Sequence, residues 1–207
     1  VLLIVALVAG CGASTPTTSG QTSGPSAPPP SAATGQPPSG PPDTPEPSVD
    51  RHGVPDLEAL LPARVGDVDL ERLSLTGRDF YVLGNDASRG QLDDMLGRLG
   101  KSVADLTVAD AGDPTGKAVL EVGIFRVAGA PADRLLAEWI ASTEAAKPGQ
   151  ISDARATVDG RTLTRIVDAS RPVGGKTLAF VNGDMLFLVA ADDPALVSSA
   201  LSQLPVP

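Results

Sequence analysis

An α+β domain, with an antiparallel sheet of about six to eight strands and three to four helices packed against it, is what this sequence predicts. Three observations carry that expectation. Two dipeptides suited to the positive φ of tight turns, Asp159-Gly160 and Asn182-Gly183, each separate two strand-like runs. Such hairpins imply antiparallel pairing. Two other segments, 91–99 and 131–146, repeat apolar residues at helical spacing. Finally, the 154 residues from Val54 to Pro207 hold no cysteine, so one domain of ordinary size must rest on packing alone.

Each element follows in turn. Residues 55–61 form a short helix with Leu57, Leu60 and Leu61 on one face, stopped by Pro62. Strand sequence follows: Val68, Leu70 and Arg72 alternate with Asp67, Asp69 and Glu71, and Phe80-Tyr81-Val82-Leu83 reads as a second strand. In 91–99, Leu92, Met95, Leu96 and Leu99 make one helical face, and Gly100 stands where a C-cap belongs. Segments 106–109 and 119–128 are strands around the turn Gly112-Asp113-Pro114-Thr115-Gly116. The second is apolar on both alternating sets, which puts it centrally in the sheet.

The next helix opens at Pro131 and runs to Ala146. Leu135, Leu136, Trp139, Ile140 and Thr143 face inward, and Arg134 with Glu138 makes an outward i,i+4 pair. Two hairpins come next, 154–158 with 161–167 and 177–181 with 185–190. A last helix has Asp193 as N-cap and Pro194 at its first position, with Leu196, Val197, Ala200, Leu201 and Leu204 inward. The order of elements puts the helices on one face or end of the sheet. Residues 65–73 and 158–166 match at three of nine positions (Val, Leu, Arg). That leaves a weak internal duplication and plain similarity of strand chemistry both open.

The segment before the domain differs in kind. Residues 11–53 are dominated by Pro, Ser, Thr, Gly, Ala and Gln, with Pro28-Pro29-Pro30, Pro37-Pro38 and Pro41-Pro42 among them. Too little apolar surface is present to offset chain entropy, so a disordered tether is expected. Its reach lies between about 35 Å as a coil and about 120 Å as an extended polyproline-like chain.

Ahead of it, the apolar run Val1-Leu2-Leu3-Ile4-Val5-Ala6-Leu7 closes on Val8-Ala9-Gly10-Cys11, the chain's one cysteine. These four residues resemble the lipobox of bacterial lipoproteins. The resemblance implies that residues 1–10 are a signal peptide and that the Cys11 thiol carries a diacylglyceryl group. It also implies a mature protein anchored to the outer, extracytoplasmic face of a membrane. The run is too short to span a bilayer, since ten helical residues cover roughly 15 Å. A basic n-region is expected upstream, so the chain is read as starting inside its signal peptide.

Charge narrows the partners. Three of the 25 acidic residues and one of the 16 basic ones precede Val54, leaving 22 and 15, a net of −7 for the domain. Nucleic acid binding needs clustered Lys and Arg, and a polybasic contact with anionic lipid needs the same, so neither is expected.

The search for chemistry yields little. His52 is the sole histidine and sits at the tether's end, where no nucleophile can be held rigidly against it. Gly112-Asp113-Pro114-Thr115-Gly116-Lys117 has a phosphate-loop look. The spacing is one residue short, however, Ala118 replaces the hydroxyl, and a strand follows, so a plain turn is expected. Asp67, Asp69 and Glu71 are weak metal candidates on one strand face. Neighbouring side chains on that face stand almost 7 Å apart, and a solvated face is the expected reading. Asp93-Asp94 suit the first turn of a helix, and Asp192-Asp193 a cap. Paired acids for glycoside hydrolysis would need one carboxyl in an apolar pocket, which sequence alone does not reveal. Trp139 is expected in the core.

No catalytic residue and no cofactor is therefore nominated. The expected function is a membrane-anchored, non-catalytic binding domain whose partner is an envelope protein, glycan or lipid. Two alternatives stand beside it: a carrier that holds a lipid or other apolar ligand between sheet and helices, and a carboxylate-based hydrolase.

Overall fold

The computed structural model describes residues 48–205 apart from Pro172. The expected signal peptide, Cys11 and most of the expected tether lie outside these residues. In chain order the elements are α1 (Pro55–Glu58), β1 (Arg64–Val65), β2 (Val68–Asp69), β3 (Glu71–Thr76), α2 (Gly77–Leu83) and α3 (Asp86–Arg98). Then follow β4 (Leu106–Gly112), β5 (Leu120–Val127), α4 (Ala132–Ala146), β6 (Ile151–Val158), β7 (Arg161–Asp168), β8 (Lys176–Asn182), β9 (Met185–Ala191) and α5 (Pro194–Gln203).

The fold class is the expected one. Seven strands form an antiparallel sheet in the order β3-β4-β5-β9-β8-β7-β6, and β1 and β2 make a separate two-stranded ribbon. β5 lies third from one edge, and the alternating residues of its two faces enter two different cores. On one face Phe125 and Val127 join Leu188 of β9, α3 residues Met95 and Leu96, and α4 residues Leu135 and Trp139. On the other, Val122 and Ile124 join Phe187 and Val189 of β9, Leu57 of α1 and Leu201 of α5.

Helices thus cover both faces instead of gathering on one. The cause is the double-sided apolarity of β5, shared by β9, whose exposure pattern is buried at all but its first residue. A strand apolar on both sides needs a cover on each.

Several local readings change. Phe80-Tyr81-Val82-Leu83 is helical: Thr76 caps α2 by accepting the Asp79 amide, and Phe80 packs edge-on against Phe125 with ring centroids 6.0 Å apart. A short apolar run fits a strand or one face of a helix equally, and here the cap decides. α3 begins at Asp86, capped by Asn85, five residues before the expected start. Leu92, Met95, Leu96 and Leu99 are buried on it as expected, and Gly100 has φ +69°.

α1 is four residues long, with Leu57 and Leu61 buried but Leu60 only partly so. Arg134 and Glu138 do not pair with each other. Glu138 accepts from Arg98 of α3, and Arg134 donates to the Arg98 carbonyl, so both tie α4 to α3. Val119 lies outside β5 and is 37% exposed.

The hairpins form. Asp159 and Gly160, at φ 49° and 76°, make the type I′ turn between β6 and β7. In the second hairpin Asn182 pairs with Met185, so the turn residues are Gly183-Asp184, one place later than expected, with positive φ at Gly183. Segments 65–73 and 158–166 each contain a two-residue antiparallel turn, Val65↔Val68 and Val158↔Arg161. Beyond those turns they diverge, since β3 leads into α2 while β7 leads into β8.

The described domain also takes in residues ahead of Val54. Val49 packs on the first core, and His52 bridges Ser74 in parallel outside β3.

Candidate functional site

Two places on the α3–α4 face of the sheet concentrate polar chemistry. The first is a buried carboxyl pair. β4 alternates Leu106, Val108 and Asp110 toward this face, so Asp110 stands where a third apolar residue would be expected. Asp110 is 2% exposed and lies opposite Leu73 of β3 and Gly123 of β5. It is hydrogen-bonded to Glu121, and its Oδ1 has no partner among the described residues.

Burial, and after it the charge of Glu121, raises the Asp110 pKa well above its ordinary value. Both causes favour the protonated form of Asp110 beside Glu121. In hydrogen-bond contact, the carboxyls are closer than the ~5 Å or more that separates glycosidase acids. The sequence carried one signal for this pair, an Asp in register with the apolar set of a strand, and the reading missed it.

The second place is a cleft at the C-terminal end of α4, floored by β7 and β8. Trp139, Thr143, Lys147, Ile166, Asp168, Arg171 and Thr177 are among its lining residues. Its cavity is about 40 Å³, room for roughly two or three waters. Lys147 and Asp168 form an ion pair in its wall. Burial alone would raise the Asp168 carboxyl, but hydrogen bonds from Lys147 and Ser170 outweigh it and hold the group below its ordinary range.

Trp139 is 7% exposed, in the core as expected, and its Nε1 has no acceptor among the described residues. Arg171 adds a second cation to the lining. Its loop turns at Gly174-Gly175, where a Cβ on Gly175 would sit 2.3 Å from the Arg171 carbonyl oxygen. Gly175 is obligatory to that path. In a domain of net −7, a recess with two cations, one carboxylate and two threonine hydroxyls is suited to a small anionic or hydroxyl-bearing group.

The residues nominated from sequence are scattered. Asp67, Asp69 and Glu71 do not share one strand face. The chain breaks at Leu70, whose amide bonds to Ala63, leaving Asp67 in the β1–β2 turn, Asp69 on β2 and Glu71 at the start of β3. Arg64 engages Asp67 and Asp69, both widely exposed. Among the described residues no group of three potential ligands is placed to hold a metal. Cys11 lies outside the described residues.

His52 is exposed yet fixed. Its Nδ1 lies 2.9 Å from Glu58 Oε2, and Glu58 also accepts from Ser74 at 3.0 Å. Burial works to raise the Glu58 pKa, but these hydrogen bonds and the charges of His52 and Arg72 prevail, and it falls below its ordinary value.

The loop after β4 is a self-satisfied turn. Asp113 accepts from the amides of Thr115 and Ala118 at 2.8 and 2.7 Å and from the Thr115 hydroxyl, which holds its carboxyl at about 2. Its own side chain occupies the amides a phosphate would need.

Asp93-Asp94 sit mid-helix because α3 starts earlier, and Asp93 accepts the Tyr81 hydroxyl. Asp193 caps α5 as expected, while Asp192 accepts from Gly174. Arg89 lies over the Tyr81 ring, 5.5 Å from its centre, and covers one of its faces. Searches of protein-family models, of curated proteins and of solved structures returned no match to this chain.

Proposed function

We propose that this chain is a lipoprotein held at the outer face of a membrane through a diacylglyceryl group on Cys11. Its folded domain serves there as a non-catalytic binding module for an envelope protein, glycan or lipid. The observation that carries the reading is Val8-Ala9-Gly10-Cys11 at the end of an apolar run, followed by a Pro- and Ser-rich spacer. Two acyl chains on one residue meet the two-signal requirement for stable anchoring. Metabolic labelling with a fatty-acid analogue should mark the protein, and Cys11→Ala should abolish the mark. Label that never appears, or that survives the substitution, overturns the anchor.

The cleft beside α4 is the contact point we assign to the ligand. At about 40 Å³ it admits a group of a few atoms, well short of the roughly 300–1,000 Å³ of an ordinary ligand pocket. It therefore suits the tip of a larger partner better than an enclosed acyl chain. Arg171→Ala should lower retention of the domain on isolated envelope material; unchanged retention moves the contact elsewhere. The carrier alternative requires the helix layer to open over a larger chamber. Native mass spectrometry of gently extracted protein tests it, a clean apo mass counting against it.

One observation favours the hydrolase reading, namely the buried Asp110 carboxyl in hydrogen-bond contact with Glu121, with its pKa raised well above the ordinary value. A neutral acid beside a carboxylate is the pattern of proton-sharing catalytic pairs. Asp110→Asn and Glu121→Gln leaving every assayed hydrolytic rate unchanged would remove that option.

A further inference from the structure

The two edges of the seven-stranded sheet are finished differently. Outside β3, the Ser74 amide donates to the Arg51 carbonyl at 2.7 Å and the Gly53 amide donates to the Ser74 carbonyl at 3.1 Å, so residues 51–53 cap that edge. β6 closes the opposite side. It pairs with β7 over eight unbroken positions, Ile151↔Asp168 to Val158↔Arg161, with no bulge and no proline. Ser152, Asp153, Ala154, Arg155 and Thr157 are exposed. Among the described residues no backbone group bonds to the outer side of β6. Natural edges are usually blunted by bulges, prolines, charged side chains or a covering segment. Among the described residues β6 has no bulge, proline or cover, and its two charges, Asp153 and Arg155, are of opposite sign.

The backbone direction of β6 is fixed by its neighbours. Gln150 accepts the Ala169 amide, so even-numbered positions bond inward to β7. The Asp168 amide, opposite Ile151, bonds away to Gly175, in agreement. The N–H and C=O groups of Ile151, Asp153, Arg155 and Thr157 therefore point outward. Asp153 and Arg155 also lie on one face of the strand, and neither takes part in an ion pair within the described chain.

We propose that β6 docks antiparallel on β6 of a second copy of this chain, about a two-fold axis through Ala154. Backbone direction and charge select that register: axes at Ser152 or Ala156 also match outward-bonding groups, but only an axis at Ala154 sets Asp153 against the partner's Arg155. An axis between two residues would set inward-bonding positions against outward-bonding ones and form no ladder. An axis at Asp153 opposes Asp to Asp, and one at Arg155 opposes Arg to Arg, both repulsive. With the axis at Ala154, Asp153 faces the partner's Arg155 and Ile151 faces the partner's Thr157. Every one of these residues has its backbone groups turned outward. The charge pair forms twice by symmetry, as an isologous interface demands. The result is one sheet continuous across two domains, by the strand addition that open edges invite.

The test is sedimentation of the full chain in mild detergent across a concentration series, with circular dichroism as the control for folding. A monomer–dimer equilibrium is expected. Asp153→Arg should weaken it about tenfold by placing Arg opposite Arg on both sides of the axis. The double exchange of Asp153→Arg with Arg155→Asp should restore it.

In a Cys11→Ser background, Ala154→Cys should form an interchain disulfide. Self-opposed non-hydrogen-bonded residues stand about 4.5 Å apart at Cα, within disulfide reach. Ser152→Cys, displaced from the axis, should not. A chain that stays monomeric at every concentration overturns the proposal, including one that instead takes up a foreign strand. So does a dimer indifferent to Asp153→Arg, or an Ala154→Cys variant that fails to cross-link.

Discussion

Asp110 binds its proton more tightly folded than unfolded, because burial and the neighbouring Glu121 both disfavour its anion. A group with a raised folded pKa contributes stability that is complete below its unfolded value and is lost as pH climbs through the folded one. Asp110→Asn keeps the shape and removes the titration. The variant should therefore gain on the parent chain as pH rises, with a flatter profile in urea unfolding followed across pH. Equal slopes for the two proteins would mean the carboxyl is not held neutral.

Asp113 works with the opposite sign. Amide and hydroxyl donors hold it at about 2 against an ordinary 3.8, so its contribution is present above 3.8 and disappears as pH falls toward about 2. Asp113→Asn should remove that part of the acid limb of stability, measured by the same unfolding series. At this scale sequence was a poor guide. An Asp in an apolar register and an Asp in a turn are the same letter, and only packing against Glu121 or Thr115 separates them.

Among the elements, those with a strong local cause could be read from sequence. Asp193-Pro194 starts α5, Asp159-Gly160 turns β6 into β7, and the Leu92–Leu99 stripe seats α3. α2 could not, since its four apolar residues suit either state and its decisive features lie at its ends. Thr76 caps it, and Gly77 lets it approach the turn that precedes β4. A Cβ at Gly77 would fall 2.0 Å from the Val103 carbonyl oxygen and 2.8 Å from that of Leu106. Gly77→Ala should cost about 3 kcal/mol, the upper range for overpacking, as a lowered midpoint in urea with unchanged m-value. A loss within experimental error would mean the backbone there gives way easily. The exchange of Arg134 and Glu138 from a mutual pair to two ties with α3 has a similar origin: helix spacing names neighbours along a helix but not across helices.

The described domain is a three-layer arrangement whose class was legible and whose layering was not fully drawn. Apolarity on both sides of β5 was visible in the sequence, and its consequence, a second helical cover formed by α1 and α5, follows from the same observation. Residues 51–53 belong to this scale as well, because they join the chain ahead of Val54 to the sheet through Ser74 and Glu58. Glu58 is largely buried, 15% exposed at its side chain, and gathers hydrogen bonds from His52 and Ser74. Glu58→Ala should cost about 1–3 kcal/mol, the range for hydrogen bonds to a charged group. Because its folded pKa is lowered from 4.5, the deficit should be full above that pH and shrink as pH falls. A deficit that grows in acid would contradict the assignment.

The parallel seam between residues 51–53 and β3 also has a mechanical meaning. A pull on the chain ahead of the domain meets Val49, packed on the first core, and then residues 51–53, where the chain lies lengthwise against β3 and is bonded to both sides of Ser74. A pull directed along that strand strains its hydrogen bonds together, as in a lap joint, instead of opening them one after another. The domain is thus gripped at the β3 rim of its largest sheet, six strands away from the β6 rim.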